Sequence, residues 1–374
     1  MKSATAIARR AMQLRTRAET LCSSGRCAAA RELARQALAL VESGFGRDHV
    51  LVAGPLDTLA SIEETSGRRD RAKQHYARAL AIVEHASAED AEEPDVARVH
   101  VQLLRHLGSL HTSIGEYAEA ESRLRAALER AQRTLGRDDL ECASACNDLG
   151  VLYKFTGRFA EASRLYRRAL SIAQSQLADD DPMLAVLNHN LGGLEHARGR
   201  FREGEPFARR SVAIRERTLG PEHPEVAADV AALAAILDGL ERYAESEPLH
   251  ERAIAIFEKS FGAEHYEVGM ALGNLAAVYH ATGRTEEAER TYLRSLAIKR
   301  KELGARHPDL AFTLNNLAYL HQTEGRPRRA AALYRRALAV FDAAFGREHP
   351  STRTCRANLD SLAKDAPAAR GRRA

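Results

Sequence analysis

Residues 283–288 read Gly283-Arg284-Thr285-Glu286-Glu287-Ala288 and form one copy of a turn signature, Gly-Arg-x-x-x-Ala, that returns at a spacing of 42 residues. Copies begin at Gly25, Gly67, Gly115, Gly157, Gly199, Gly283 and Gly325, and a degraded copy falls on schedule at Glu241. Two copies depart from the signature, because Glu116 takes the place of Arg and Gly204 takes the place of Ala. Self-similarity at such a period is typical of a solenoid, in which each unit buries its apolar face only against its neighbours.

Length and composition agree with a repeat array. A chain of 374 residues ordinarily suggests two or three domains, yet no shift in composition divides this one. The apolar fraction of 45% is carried by Ala and Leu, with no Trp and only ten residues each of Phe and Tyr. Small and straight-chain residues favour helices. We therefore expect one elongated, all-α domain over residues 1–364.

Each repeat has the pattern of a helical hairpin. Before Gly283, apolar residues recur at three- and four-residue steps and predict helix A, and after it the stripe that begins at Ala288 predicts helix B. Glycine accepts the left-handed conformation with which a chain leaves a helix. Between repeats, Gly304 ends helix B and His307-Pro308 starts the next helix A. Small residues mark where the two helices of a hairpin approach closely: Gly108, Gly150, Gly192, Ala234, Ala276 and Ala318 on helix A, and Ala72, Ala120, Ala162, Ala288 and Ala330 on helix B.

These residues resemble the tetratricopeptide repeats, in particular the 42-residue version of kinesin light chain and its bacterial relatives. The strings that carry the resemblance are His307-Pro308-Asp309-Leu310-Ala311, Leu314-Asn315-Asn316-Leu317-Ala318 and Ala332-Leu333-Tyr334-Arg335-Arg336-Ala337-Leu338. The resemblance covers about residues 4–364, which hold about eight repeats. It implies a right-handed superhelix of antiparallel helix pairs, with helix A on the concave side and helix B on the convex side.

The ends and the middle depart from the pattern. Residues 351–364 predict a C-terminal capping helix, and residues 365–374 predict a disordered basic tail. The interval from Gly67 to Gly115 carries a six-residue acidic insertion near residues 85–95, and an extra turn on the following helix A is expected. The insertion is either a solvated loop or a partner contact. Residues 192–248 contain Pro206, Pro248 and Glu241 at the turn, so we expect a flexible joint there.

Net charge, apolar runs and cysteine spacing limit the compartments and partners that are expected for this chain. The net charge is +4, and no apolar run approaches the ~20 residues that a membrane helix needs. The four arginines from Arg9 to Arg17 interrupt the N-terminal segment, so we expect no secretory signal. Five cysteines without repeat-linked spacing do not form a disulfide framework, and they are either small apolar positions or redox and metal sites. We expect a cytoplasmic protein that does not bind membranes.

The sequence contains none of the common catalytic or cofactor signatures. Phosphate loops, nucleophile elbows and paired Cys-x-x-Cys motifs are missing, and Ile254 stands where a zinc protease motif from His250 needs its second histidine. Histidines 49, 223, 265, 307 and 349 share one turn position, so repeat geometry explains them without a metal. The run Asp179-Asp180-Asp181 suggests either a cation site or capping, and its place in the turn between repeats favours capping of a helix N-terminus. We expect no enzyme activity, no cofactor and no metal. The arginine pairs of helix B, such as Arg209-Arg210, alternate with acidic residues and have no aromatic platform, so no nucleic acid partner is expected.

The predicted inner face of the helix A series offers a binding surface. The position before the repeated Leu is Thr58, His106, Asp148, Asn190, Ala232, Asn274, Asn316 and Asn358. An amide side chain both donates and accepts, so a file of them suits the backbone of an extended peptide. The family resemblance implies peptide contact at Asn190, Asn274 and Asn316. The alternative is that these amides satisfy neighbouring backbone groups.

The predicted peptide-binding residues are Asn147, Asp148, Lys154, Asn190, Asn274, Asn315, Asn316 and Tyr319. Met270, Phe312, Val151 and Phe155 add apolar contacts on the same side. Lys154 and Arg105 are nearly alone as cations there, which disfavours a clamp for a terminal carboxylate and favours an internal segment with apolar anchors. The expected function is a non-enzymatic scaffold for a protein or peptide segment. The alternative is a regulatory or sensor subunit of a separately encoded protease, kinase or nucleotidase.

Overall fold

A computed structural model of the chain describes residues 4–86 and 93–365, with side chains up to residue 362. The described residues form 17 α-helices and no strand. The first eight helices are α1 Ala4–Ser23, α2 Cys27–Phe45, α3 Ala53–Thr65, α4 Arg69–Glu84, α5 Pro94–Ser113, α6 Tyr117–Thr134, α7 Leu140–Phe155 and α8 Phe159–Gln174. The remaining nine are α9 Pro182–Ala197, α10 Phe201–Leu219, α11 Pro224–Gly239, α12 Tyr243–Phe261, α13 Tyr266–Ala281, α14 Thr285–Leu303, α15 Pro308–Thr323, α16 Pro327–Phe345 and α17 Pro350–Asp365. A short 3-10 helix, Val50–Val52, precedes α3.

The helices group into two compact units, unit 1 over Met1–Asp179 and unit 2 over Asp180–Ala374. In each unit an odd-numbered helix packs most extensively against the even-numbered helix that follows it, which in turn packs against the next odd-numbered helix. The odd-numbered helices up to α15 are thus the predicted A helices, and the even-numbered helices are the B helices. The expectation of an all-α repeat array is confirmed.

The turn inside each hairpin has the geometry that its signature predicts. Gly283 adopts φ 77°, its N–H donates to the carbonyl of His280 at 3.1 Å, and the N–H of Arg284 donates to the carbonyl of Tyr279 at 2.8 Å. These two bonds satisfy the last carbonyls of α13 and end the helix. Glu241 takes the same left-handed conformation at φ 59°, the one non-glycine residue of the described chain with positive φ. The strain expected at this turn is therefore present.

The turns before α7, α9, α11, α13 and α15 are each closed by a capping side chain. His223, His265 and His307 each accept a hydrogen bond at Nδ1 from the backbone N–H two residues later, at 3.2, 3.3 and 3.3 Å. Asp139 and Asp181 fill the same position, and their carboxylates accept from the equivalent N–H at 2.8 Å. A side-chain acceptor here satisfies one of the unpaired donors of a helix N-terminus. The capping interpretation of Asp181 is confirmed, and the histidines prove to cap their helices in the same way.

The small residues lie where the paired helices touch. A Cβ added to Gly150 would lie 2.5 Å from the Cε1 atom of Tyr166, and one added to Gly108 would lie 2.6 Å from the Cγ atom of Leu124. The alanines predicted for these seams, from Ala72 to Ala330, are completely buried. Large buried side chains of helix B, Tyr166 among them, thus occupy the space that glycine leaves on helix A.

The arginine of the turn signature has a role that we did not predict from the sequence. In three repeats it binds an acidic residue three positions later and a second one on the preceding helix B. This arrangement recurs for Arg158 with Glu161 and Glu121, Arg242 with Glu245 and Glu205, and Arg284 with Glu287 and Glu247. Consecutive B helices within a unit are therefore cross-linked by ion pairs at a regular interval.

The predicted departures from the repeat are partly described. Helix α5 has 20 residues where α7 has 16, so the extra turn is confirmed. Residues 87–92 of the acidic insertion and residues 366–374 of the tail lie outside the described residues. Helix α17 packs on α16 with Cys355 buried, and it includes Asp365, which the sequence analysis assigned to the tail.

Cysteines occupy two kinds of environment. Cys142, Cys146 and Cys355 are buried, as expected of small apolar residues. The Sγ atoms of Cys22 and Cys27 lie 2.6 Å apart across the turn between α1 and α2, and both thiols are half-buried.

Candidate functional site

Two neighbouring cavities open along α13 and α15 in unit 2. The small cavity has a volume of about 120 Å³ and is lined by Asn274, Asn316, Met270, Phe312, Lys299 and Asp309, among others. The wide cavity has a volume of about 430 Å³, and its lining includes His280, Asn316, Tyr319 and Thr323. Asn316 borders both cavities, so they form one continuous recessed surface. Three of the predicted peptide-binding residues, Asn274, Asn316 and Tyr319, meet there.

Helical geometry explains why Asn274 and Asn316 face this surface. The residue after each of them, Leu275 or Leu317, is buried in the core, and a step of one residue around a helix turns the asparagine outward. Both asparagines are exposed. Among the described residues, the side chain of Asn274 has no hydrogen-bond partner, whereas Asn188, outside the predicted file, donates to the carbonyl of Leu184 at 2.7 Å. The amide of Asn274 is thus available to a ligand.

The polar surroundings of Asn316 come from α13, α15 and α17. Nδ2 of Asn315 lies 3.4 Å from Oδ1 of Asn316, and Nδ2 of Asn358 lies 3.4 Å from Oδ1 of Asn315. Tyr319 is 50% exposed, and its ring centroid lies 5.5 Å from that of His280. Nε2 of His280 in turn lies 3.1 Å from Oγ1 of Thr323. Aromatic surface and amide groups therefore alternate along the recess.

The small cavity contains a buried cation, Lys299, that was not predicted from the sequence. Its side chain is 4% exposed, and its Nζ atom donates to Oγ1 of Thr313 at 3.0 Å. Burial lowers the pKa of Lys299 to about 8, although the nearby carboxylate of Asp309 acts in the opposite direction. Asp309 itself accepts a hydrogen bond from the hydroxyl of Tyr266 at 2.6 Å. The signal that could have found Lys299 is its position in the apolar stripe of helix B.

The predicted residues of unit 1 form a separate group on α7. Oδ2 of Asp148 lies 2.9 Å from Nε of Arg105, and Nη1 of Arg105 lies 3.0 Å from the carboxylate of Glu141. Asn147 donates to Asp148 at 3.3 Å. Arg105, which the sequence analysis treated as a groove cation, is therefore neutralised by two carboxylates.

Lys154 differs from Arg105 because it has no ion-pair partner among the described residues, and burial lowers its pKa. Asn190, on α9 in unit 2, is half-buried and is not among the lining residues of the two cavities.

Other members of the predicted file are engaged within the protein. The side chain of Thr58 binds Arg15 and Glu19 at 3.0 and 3.1 Å, and Nδ1 of His106 lies 2.7 Å from Asp57.

The described part of the chain offers neither a metal site nor a membrane-spanning helix. No three His, Cys, Asp or Glu side chains there come together in a group that could hold a metal ion. None of its helices combines the length and the apolar character needed to cross a membrane.

Sequence comparison identifies the repeat. The family model described as Tetratricopeptide repeat matches residues 9–85, 99–175, 183–259, 228–301 and 267–343, which together exceed half of the chain. No curated protein matches the sequence.

Solved structures resemble the chain in fold. TPR-like repeats of the kinesin light chain type from Podosopora anserina share 27% identity, covering 53% of this chain and 94% of that one, with a TM-score of 0.46. BtubC (BKLC) from P. vanneervenii shares 26% identity over 63% of this chain and 92% of that one, with a TM-score of 0.50. The apo quorum sensor NprR from B. thuringiensis, 13% identical, covers 88% of this chain and 87% of its own, with a TM-score of 0.65.

Proposed function

This chain belongs to the tetratricopeptide repeat family, and we propose that it is a binding scaffold whose unit 2 holds an extended peptide or protein segment against α13 and α15. The observation that carries the proposal is the pair of exposed amides, Asn274 and Asn316, on the small cavity. Each amide can donate to a carbonyl and accept from an N–H of the ligand backbone, irrespective of the ligand sequence. Because Asn274 makes no hydrogen bond to the described protein, ligand contact accounts for it better than backbone satisfaction does.

Apolar side chains next to these amides supply the anchoring surface. Phe312 is 43% exposed and Tyr319 is 50% exposed, and they flank Asn316 by about one helical turn each. Partly exposed aromatic rings beside polar groups are typical of recognition surfaces, since the ring provides contact area at little cost in side-chain entropy. The bound segment is therefore expected to place apolar side chains at Phe312 and Tyr319.

The remaining predicted residues enter the proposal as secondary contacts. Lys154 offers a polar group on unit 1, where Asn147 donates to Asp148 and Asp148 is bound to Arg105. Asn190 lies on unit 2, and Asn315 adjoins Asn316.

The proposal assigns a protein partner and no reaction. Arg209 of the helix B arginine pairs lies 2.8 Å from Glu205, so an acidic neighbour offsets part of the basic charge that a nucleic acid would need.

We take the chain to act in the cytoplasm, where reducing conditions keep free thiols such as those of Cys142 and Cys146 reduced.

Affinity capture from native lysate tests the proposal. Wild type is compared with the triple variant Asn190→Ala, Asn274→Ala, Asn316→Ala. The control is the double variant Gln36→Ala, Gln174→Ala, which removes two exposed amides from helix B positions. We expect a partner that wild type and the control retain and that the folded triple variant loses. Equal retention by all three proteins would contradict recognition at the asparagines. A captured protease, kinase or nucleotidase would identify the chain as a regulatory subunit.

A further inference from the structure

Lys299 stands at a repeat position that is otherwise mostly apolar. In the other repeats, the residues that follow the first residue of the turn signature by the same number of positions are Val41, Val83, Ala131, Ala173, Arg215, Phe257 and Phe341. All of these except Arg215 are buried hydrophobic residues. A charge at this position loses its hydration and therefore requires a partner of opposite charge.

Arg215, two repeats earlier, has such partners inside the protein. Its Nε atom lies 3.1 Å from Oδ2 of Asp229, a carboxylate that is 1% exposed, and its Nη1 atom lies 2.6 Å from Oε2 of Glu225. Oδ1 of Asp229 also lies 2.6 Å from Nδ1 of His189. A buried carboxylate and an imidazole thus fill the space in front of Arg215.

The same space in front of Lys299 lacks both groups. The repeat position of Asp229 is taken by Thr313, and that of His189 is taken by Gly273. A Cβ added to Gly273 would lie 3.4 Å from Nζ of Lys299, so the backbone at Gly273 borders the ammonium directly. Both residues line the small cavity of about 120 Å³. The cavity therefore occupies the place where a carboxylate and an imidazole stand in the earlier repeat.

The ammonium of Lys299 is poorly satisfied by the described residues. It has three N–H donors, and its one hydrogen bond is to the neutral hydroxyl of Thr313. No carboxylate of the described chain lies within 4.0 Å of Nζ. Asp309, the equivalent of Glu225, lines the same cavity, but its Oδ2 atom is held by the hydroxyl of Tyr266.

We propose that Lys299 receives a carboxylate of the bound segment in the small cavity, at the place that Asp229 takes beside Arg215. The inference rests on the proposed function and adds to it a ligand class, an acidic peptide. A cavity of about 120 Å³ exceeds the space of a single water several-fold and accommodates a carboxylate-bearing side chain. Asn274 and Asn316 at its rim then hold the backbone on either side of the acidic residue.

The first test observes Lys299 directly and needs no peptide. The chain contains seven lysines, so protein labelled with carbon-13 at the lysine ε position gives a simple NMR spectrum that can be followed against pH. The titration is run once in sodium chloride and once in sodium acetate at the same concentration. We expect the titration midpoint of Lys299 to be higher in acetate than in chloride, and that of Lys154 to be the same in both. In Thr313→Asp, which supplies the missing carboxylate, the midpoint is already raised in chloride and acetate adds nothing. Equal midpoints in acetate and chloride for wild type would overturn the assignment.

The second test identifies the source of the carboxylate with three pools of N-acetylated nonapeptides that are random except at the central residue. The pools carry central Glu with an amidated C-terminus, central Gln with an amidated C-terminus, and central Gln with a free C-terminus. We expect wild type to retain the Glu pool about tenfold over the amidated Gln pool, the magnitude of one charge-assisted hydrogen bond, and Lys299→Met to lose this preference. Stronger retention of the free-acid Gln pool would assign the cavity to a terminal carboxylate.

The outcomes separate this inference from the proposed function. Equal retention of all three pools by wild type, or a Glu preference that persists in Lys299→Met, would overturn the carboxylate assignment while leaving peptide binding intact. Retention of none of the pools would count against the proposed function, and the acetate titration would then decide the role of Lys299.

Discussion

Arg284 joins two consecutive B helices, because its Nη1 atom lies 2.5 Å from Oε1 of Glu247 on α12 and its Nη2 atom lies 2.6 Å from Oε1 of Glu287 on α14. Arg284 and Glu247 are 37 residues apart in the chain, and the same separation recurs for Arg158 with Glu121 and for Arg242 with Glu205. In these three repeats the arginine of the turn signature thus joins consecutive repeats, whereas Gly283 acts within its own repeat by ending helix A.

Replacing this arginine should weaken the coupling between repeats. We expect Arg284→Gln to lower the Tm, and to lower it less in high salt, because the ion pairs are partly exposed and therefore screened. Arg290→Gln on the same helix is the control, since Arg290 is exposed and has no ion pair among the described residues. Thermal unfolding at two salt concentrations measures the effect. An equal loss of Tm in both variants would contradict the account.

Gly150 tests the close approach of helices within a hairpin. Alanine at this position favours the helix by about 1 kcal/mol, but its Cβ would lie 2.5 Å from the ring of the buried Tyr166. Overpacking of this kind costs roughly 1–3 kcal/mol, so after subtraction of the helix gain we expect Gly150→Ala to lower the free energy of unfolding by up to about 2 kcal/mol. Urea denaturation measures this value. In a Tyr166→Leu background the same change should be much less destabilising, and a cost that stays the same would rule out the steric explanation.

The degree to which the sequence predicts the structure differs between local and non-local features. The turn glycines, the acidic cap at Asp181 and the small residue at Gly150 follow from local geometry that recurs from repeat to repeat. The partners of Arg284 and Lys299 could not be assigned in the same way, because they depend on which side chains adjacent repeats bring together. The sequence also gives Asp148 and Asn274 equivalent positions, yet Arg105 binds the first and no described residue binds the second.

Glu241 should be replaceable with a gain in stability. Its φ of 59° is costly for any residue with a Cβ and free for glycine, so we expect Glu241→Gly to raise the free energy of unfolding by about 1 kcal/mol. The same change at Glu251, exposed within α12, should lower it by about 1 kcal/mol.

The predicted joint at residues 192–248 should exchange its amide hydrogens faster than the flanking repeats do, and Glu241→Gly should slow that exchange. Slower exchange in wild type there than in the flanking repeats would refute the joint.

Lys299 predicts a specific dependence of stability on pH. Burial lowers the pKa of Lys299 from 10.5 to about 8 in the folded chain, so between these values the unfolded state binds more protons than the folded state does. Stability attributable to Lys299 therefore rises with pH in this window, by about 3 kcal/mol at most. Below pH 8 the buried ammonium destabilises the fold in full.

Denaturation of wild type and Lys299→Met across this pH range isolates the contribution. Lys299→Met should be more stable than wild type at pH 7. The difference between their free energies of unfolding should shrink as the pH rises towards 10.5. A difference that does not change with pH would show that Lys299 titrates normally.

Site-specific photo-crosslinking tests the central claim, that the recess along α13 and α15 holds the partner. The photoreactive residue p-benzoylphenylalanine replaces either Phe312 or Tyr319 in the recess, or Leu293, which is 49% exposed on α14, as the control. We expect irradiation in native lysate to give a discrete adduct from the first two positions and none from the third, with mass spectrometry locating the crosslink in one acidic segment of the partner. Adducts at Leu293 alone, or none at Phe312 and Tyr319, would contradict recognition at this surface.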